Sequence, residues 1–121
     1  MTRILAALAA LALIAAAAAA ARPSAKTLNG TVGPGYTISL KQNGKSVTKL
    51  TAGTYTFKVA DRSSMHSFVL EKEKGSAKFE KEISDVSDTG TKTVTIKLTK
   101  GTYKYYCQPH ESFMHGSFTV S

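Results

Sequence analysis

The chain has 121 residues with 16 Lys+Arg against 8 Asp+Glu, a formal charge of +8, and 42% hydrophobic content. That size excludes a multi-domain enzyme, and the composition excludes collagen-like, coiled-coil and multi-span membrane classes. The hydrophobic share is unevenly placed, because residues 4–21 are wholly apolar, 12 Ala and 6 Leu or Ile.

Met1-Thr2-Arg3 supplies a positive start, Ile4 to Ile14 an apolar run, and Ala19-Ala20-Ala21 a small-residue cleavage site before Arg22-Pro23. Residues 1–21 therefore read as a cleaved export signal. A retained anchor is the competing reading, since 18 apolar residues can just span a bilayer. Two-thirds of them are Ala, however, and no flanking stop-transfer charges follow. The function is placed outside the cytoplasm, in the periplasm, at the envelope exterior or in the medium. Without residues 1–21 the chain keeps 15 Lys+Arg, a charge of +7, and 14 Thr. The basic residues are scattered from Lys26 to Lys104 with no adjacent run, unlike a nucleic-acid stripe. Scattered positive charge suits an anionic surface or an acidic protein partner.

Residues 22–34 read as a flexible leader, and residues 35–121 as one domain with period-two patterning. Tyr36, Ile38 and Leu40 alternate with Thr37 and Ser39, the mark of a half-buried strand. Asn43-Gly44 is a hairpin turn signal. Tyr55, Phe57 and Val59 form the next inward row, then His66, Phe68 and Leu70. The mixed-charge stretch from Glu71 to Glu82 reads as a solvated loop, with a short helical turn allowed around Phe79 and Ile83. Val94, Ile96 and Leu98 follow, then Tyr103, Tyr105 and Cys107, and finally Phe118 and Val120. Short alternating strands between turns predict an all-β chain, a two-sheet sandwich or barrel. Leu50 to Phe57 is echoed by Leu98 to Tyr105, with five of eight positions identical, which predicts two equivalent corners in a Greek-key sandwich.

The chemistry concentrates near the C-terminus, in Tyr105-Tyr106-Cys107-Gln108-Pro109-His110-Glu111-Ser112-Phe113-Met114-His115-Gly116. A lone Cys in an exported chain cannot form an internal disulfide, so its neighbours decide its role. Pro109 turns the chain out of its strand, and Cys-x2-His-x3-Met puts thiolate, imidazole and thioether donors on one loop. Thiolate and thioether favour Cu(I), imidazole suits Cu(II), and two His with one Cys and a weak Met make a blue-copper site. His66 points inward by period two and is the candidate for the second His. Competing readings are a Cys107–His110 nucleophile pair, for which no orienting Asn or Asp is evident, and a non-metal secreted sandwich with Cys107 buried.

The run Tyr-Tyr-Cys-Gln-Pro-His, followed by Phe-Met-His-Gly-Ser-Phe-Thr-Val, resembles the cupredoxin family in its small plastocyanin, pseudoazurin and amicyanin type. The resemblance implies a Greek-key sandwich that holds one mononuclear type 1 copper and passes single electrons between protein partners. It would make His66, Cys107, His110 and Met114 the metal ligands, with no catalytic residue. A copper-delivery protein of the same fold is the alternative. Two departures stand out. Ser67 follows the upstream His where the family commonly has Asn, a shorter tether to the Cys loop, and the His110-to-Met114 gap is three residues. His115 is expected to face solvent, and the domain to be a monomer.

Overall fold

The computed structural model describes residues 25–121; the expected export signal, residues 1–21, and residues 22–24 lie outside the described residues. Ten strands form two five-stranded sheets. They are β1 (Lys26–Val32), β2 (Ile38–Gln42), β3 (Lys45–Ser46), β4 (Lys49–Leu50), β5 (Gly53–Asp61), β6 (Phe68–Lys74), β7 (Glu80–Ser84), β8 (Gly90–Leu98), β9 (Gly101–Tyr106) and β10 (His115–Val120). The first sheet has the order β3-β2-β1-β5-β8 and the second β4-β10-β9-β6-β7. The inward rows of the two faces, Leu28, Leu40, Phe57, Phe68, Leu70, Leu98, Tyr103 and Phe118 among them, merge into one core. Each such fully buried aliphatic or aromatic side chain contributes about 1.5–3 kcal/mol. Among the described residues that core runs from Leu28 to Val120, and both sheets are built within the same span.

The echoed octapeptides are two matching corners, one in each sheet. Gly53 opens β5 and Gly101 opens β9. Two residues on, Tyr55 Oη donates to Thr51 O at 2.7 Å and Tyr103 Oη to Thr99 O at 2.8 Å. Each phenol closes the turn behind it and satisfies its own buried hydroxyl. Asn43 and Gly44 make the expected turn, with φ of 50° and 78°.

Three expectations give way. Residues 26–32, expected within a loose leader, form β1, which pairs with both β2 and β5. Gly30 interrupts the Leu28–Val32 apolar row and hides its period. A Cβ there would stand 3.0 Å from the Phe68 ring and from Val59, so the core leaves room for hydrogen alone. Tyr36, expected to point inward, precedes β2 and is exposed. The stretch Glu71–Glu82 is a hairpin between β6 and β7 rather than a loop or helical turn. A register shift at Phe68/Val69 breaks the alternation there. Lys72, which reads as solvated, is buried. Its Nζ donates to Ser76 O and, at 2.6 Å, to Thr99 Oγ1, and it lies 5.7 Å from the Tyr103 ring centre. With no carboxylate against it, the ammonium is satisfied by these oxygens and the ring face.

Candidate metal centre

The site forms at the end of the sandwich where β5, β6, β9 and β10 meet their loops. β5 ends at Asp61, whose buried carboxylate accepts from Ser63 N at 3.1 Å and from Ser84 Oγ. Ser63 then accepts from Met65 N at its Oγ (3.2 Å) and from His66 N at its carbonyl (3.3 Å). These local bonds shape the turn that delivers His66, buried, to the start of β6. From β9 the chain passes through Cys107 into a 3-10 turn, Gln108–His110, with Pro109 supplying its fixed φ. Cys107 O accepts from His110 N (3.1 Å), His110 O from Met114 N (2.8 Å), and Met114 O from Cys107 N (3.0 Å). The loop is thus cross-tied by its own backbone, on elements rigid enough to hold donor positions.

Three donor atoms converge. His66 Nδ1 lies 3.2 Å from His110 Nδ1, and Cys107 Sγ lies 3.6 Å from each. The centre of a triangle with those sides is about 2.0 Å from every corner, within reach of metal–nitrogen bonds of ~2.0–2.1 Å and near a metal–thiolate bond of ~2.3 Å. Among the described residues this trio is the group of His, Cys, Asp and Glu that can hold a metal ion. The His66 tautomer is set by Gly35 O, 2.7 Å from His66 Nε2. A carbonyl only accepts, so Nε2 carries the proton and Nδ1 presents its lone pair to the centre. Met114 is buried in the core cluster beside Cys107, and its neighbour His115 is exposed, as the alternation of an extended segment requires. The thiolate, two imidazoles and nearby thioether form a donor set suited to copper.

The Ser67 tether is short but made. Ser67 Oγ accepts from Gln108 N at 2.8 Å, and Ser67 N points to Cys107 Sγ at 3.4 Å. Ser67→Ala strands the Gln108 N–H and is expected to cost about 1–2 kcal/mol. Urea denaturation of the metal-free protein measures it. The variant keeps the backbone donor to the sulfur, so its charge-transfer colour should persist.

Sequence reasoning missed the β1–β2 loop as part of the site. Gly33, at φ 67°, turns the chain so that Gly35 O meets His66 and Tyr36 stands over the imidazoles. The Tyr36 ring is edge-on to His66, His110 and Phe113 at centroid distances of 5.5, 5.2 and 5.7 Å. Gly-Pro-Gly before an aromatic was the available signal for a turn rather than a strand. Met65 is exposed, and with Tyr36 and Phe113 it makes up the large apolar side chains that face solvent among the described residues. Next to the centre, burial first and the Glu80 carboxylate second hold the Tyr106 phenol above its usual range; its Oη donates to Glu80 Oε1 at 2.6 Å.

Comparisons with known proteins agree with this geometry. Residues 37–121 match the family described as copper binding proteins, plastocyanin/azurin family. Among solved structures, reduced rusticyanin is similar at 22% identity and a TM-score of 0.58, covering 81% of each chain. Auracyanin A, a "blue" copper protein of Chloroflexus aurantiacus, is similar at 20% identity and 0.54, covering 81% of this chain and 100% of its own. Rusticyanin from Thiobacillus ferrooxidans is similar at 21% and 0.51, covering 81% and 79%. No curated protein matches the chain. At these identities the solved structures support the fold, the two-sheet cupredoxin sandwich. With the family match across most of the chain and a buried His66–Cys107–His110 cluster beside Met114, the chain belongs to the plastocyanin/azurin family and is a type 1 copper electron-transfer protein.

Proposed function

We propose that His66, Cys107, His110 and Met114 are the ligands of the copper. We further propose that single electrons enter and leave through the exposed edge of His110 and that the protein works outside the cytoplasm as a monomer. The observation that carries this reading is the triangle of Nδ1, Nδ1 and Sγ atoms, each positioned by an independent element. The copper supplies a one-electron couple. The chain's part is to keep its donors still, because a centre that rearranges little between oxidation states transfers electrons with a low barrier. Gly35 O fixes the His66 ring, Ser67 joins the two ligand segments, and the backbone bonds of residues 107–114 hold the loop. Four protein donors leave no position for a substrate, which argues against an enzyme.

His110 is half-buried and ringed by exposed Tyr36 and Phe113. An apolar rim around a ligand edge fits a small, transient protein contact of the kind redox partners make. At this end Asp88 and Glu111 are paired with Lys92 and Lys104, so charge is nearly balanced around the rim. Among the described residues no helix is long and apolar enough to cross a membrane.

Residues 22–121 loaded with Cu(II) test the ligand set. The expected result is an intense red-region absorption with narrow copper hyperfine splitting in the EPR spectrum. A colourless protein, or an ordinary tetragonal Cu(II) spectrum, overturns it. Met114→Leu should keep the colour and move the reduction potential upward, since removing a weak axial donor favours Cu(I). Cyclic voltammetry reads the shift, and an unchanged potential rejects Met114 as ligand.

A further inference from the structure

The charges of the sandwich separate along its long axis. β1 and β5 run in parallel toward the metal centre, so Lys26 starts at the opposite pole. The β2–β3 turn, the β3–β4 connection, the β6–β7 turn and the β8–β9 turn gather there too, as the strand registers require. They carry six exposed lysines, Lys26, Lys45, Lys49, Lys74, Lys78 and Lys100, against two exposed carboxylate side chains, Glu73 and Glu80, which flank the β6–β7 turn. None of the six takes part in either ion pair found among the described residues. Those two pairs, Lys92–Asp88 and Lys104–Glu111, lie toward the metal centre, where lysine and carboxylate offset each other.

We propose that the lysine pole is a docking surface for a bilayer containing anionic phospholipid, which it grips through the headgroups while the metal centre faces away. Two features on the page favour a membrane over another anion. The described chain enters the domain at this pole, at Lys26, five residues after the 18-residue apolar segment 4–21 in the sequence. As the chain emerges from a bilayer, before any cut, this pole is the part of the domain that the segment holds nearest to it. Among the described residues the pole also lacks exposed large apolar side chains, since Tyr36, Met65 and Phe113 belong to the metal end, so the domain adsorbs there without inserting. Lysine clusters next to a bilayer are drawn to anionic lipid within a Debye length, about 10 Å in ordinary salt. The nine residues of β5 span roughly 30 Å at ~3.3 Å each, which keeps the metal end beyond that field and open to a partner.

Sedimentation of residues 22–121 with vesicles tests this, using 3:1 phosphatidylcholine:phosphatidylglycerol against phosphatidylcholine alone. Partitioning onto the anionic vesicles should be at least about tenfold stronger in low salt and should collapse in 0.5 M salt. The triple variant Lys45→Glu, Lys78→Glu, Lys100→Glu should lose at least about tenfold of it. Arg62→Glu, Lys58→Glu, Lys81→Glu, an equal charge change away from the pole, should stay within about threefold of the parent. Far-UV circular dichroism and thermal melts verify that both triples fold, without reference to copper. Equal partitioning onto the two vesicle types overturns the proposal. So does equal loss in both triples, which would assign the effect to net charge, or displacement from vesicles by heparin at equal anionic charge, which would assign the pole to soluble polyanions.

Discussion

Replacing Cys107 with Ser should yield a protein that folds and stays colourless when Cu(II) is added. The sulfur is the only soft anionic donor the chain has, because Cys107 is its single Cys. The intense red absorption of a type 1 centre is charge transfer from thiolate to metal, and a serine hydroxyl neither ionises near neutral pH nor supplies a comparable orbital. The rest of the site survives the change. His66 keeps its bond to Gly35 O, Ser67 keeps its bond from Gln108 N, and the loop's backbone ties involve no sulfur. Any copper taken up would sit on His66 and His110 and show the wide hyperfine splitting of nitrogen and oxygen ligation. Since Ser is smaller than Cys by little and the site is buried, metal-free stability should fall by only about 1 kcal/mol. Absorption, EPR and a thermal melt together check this. A Cys107→Ser protein that keeps the red band would remove Cys107 from the centre.

Gly116→Val should be the most destabilising single substitution near the loop, costing about 3 kcal/mol or more. Gly116 faces Tyr105 across the β9–β10 ladder, and a Cβ on it would overlap the Tyr105 phenol ring. That ring has nowhere to retreat. It stacks on Phe68 with centroids 5.8 Å apart and planes 2° from parallel, and it leans on Phe118 at 6.5 Å. Displacing it would push on Phe68, which already occupies the space over Gly30. The strain is delivered two residues from Met114, so the variant should also bind copper more weakly. Urea unfolding of the metal-free protein measures the first effect. Tyr105→Leu combined with Gly116→Val should recover part of the loss, because it removes the ring that the valine strikes. Additive losses in the double variant would reject the steric account.

Much of this molecule was legible residue by residue. Tyr55-x-Phe57-x-Val59 and Tyr103-x-Tyr105 announce half-buried strands through local geometry alone, since side chains in a strand alternate sides whatever the partner strand is. The echo around Gly53 and Gly101 announced two like corners for the same reason: each tyrosine bonds a carbonyl four residues back. The proposed ligands Cys107, His110 and Met114 were visible because one short loop carries them, and His66 because its parity matched Phe68 and Leu70.

Where contacts from distant strands decide the outcome, local pattern failed. Gly30 reads as a break until Phe68, from the other sheet, fills the space above it. Tyr36 has the parity of a core residue and instead covers His66 and His110, which only the packing of three loops brings beneath it. Lys72 and β7 read as solvated because their oxygen and strand partners lie across a hairpin that the Phe68/Val69 shift disguises. The charge axis is invisible in a chain where lysines recur at even intervals, for it arises from which turns the topology stacks at one pole. By itself the sequence determined the strand rows, the corners and the candidate donors, because backbone alternation and ligand chemistry are local properties. The tertiary structure decided the donor distances, the His66 tautomer, the aromatic cover and the lysine pole, because each depends on segments that meet only once the sheets have closed on a common core.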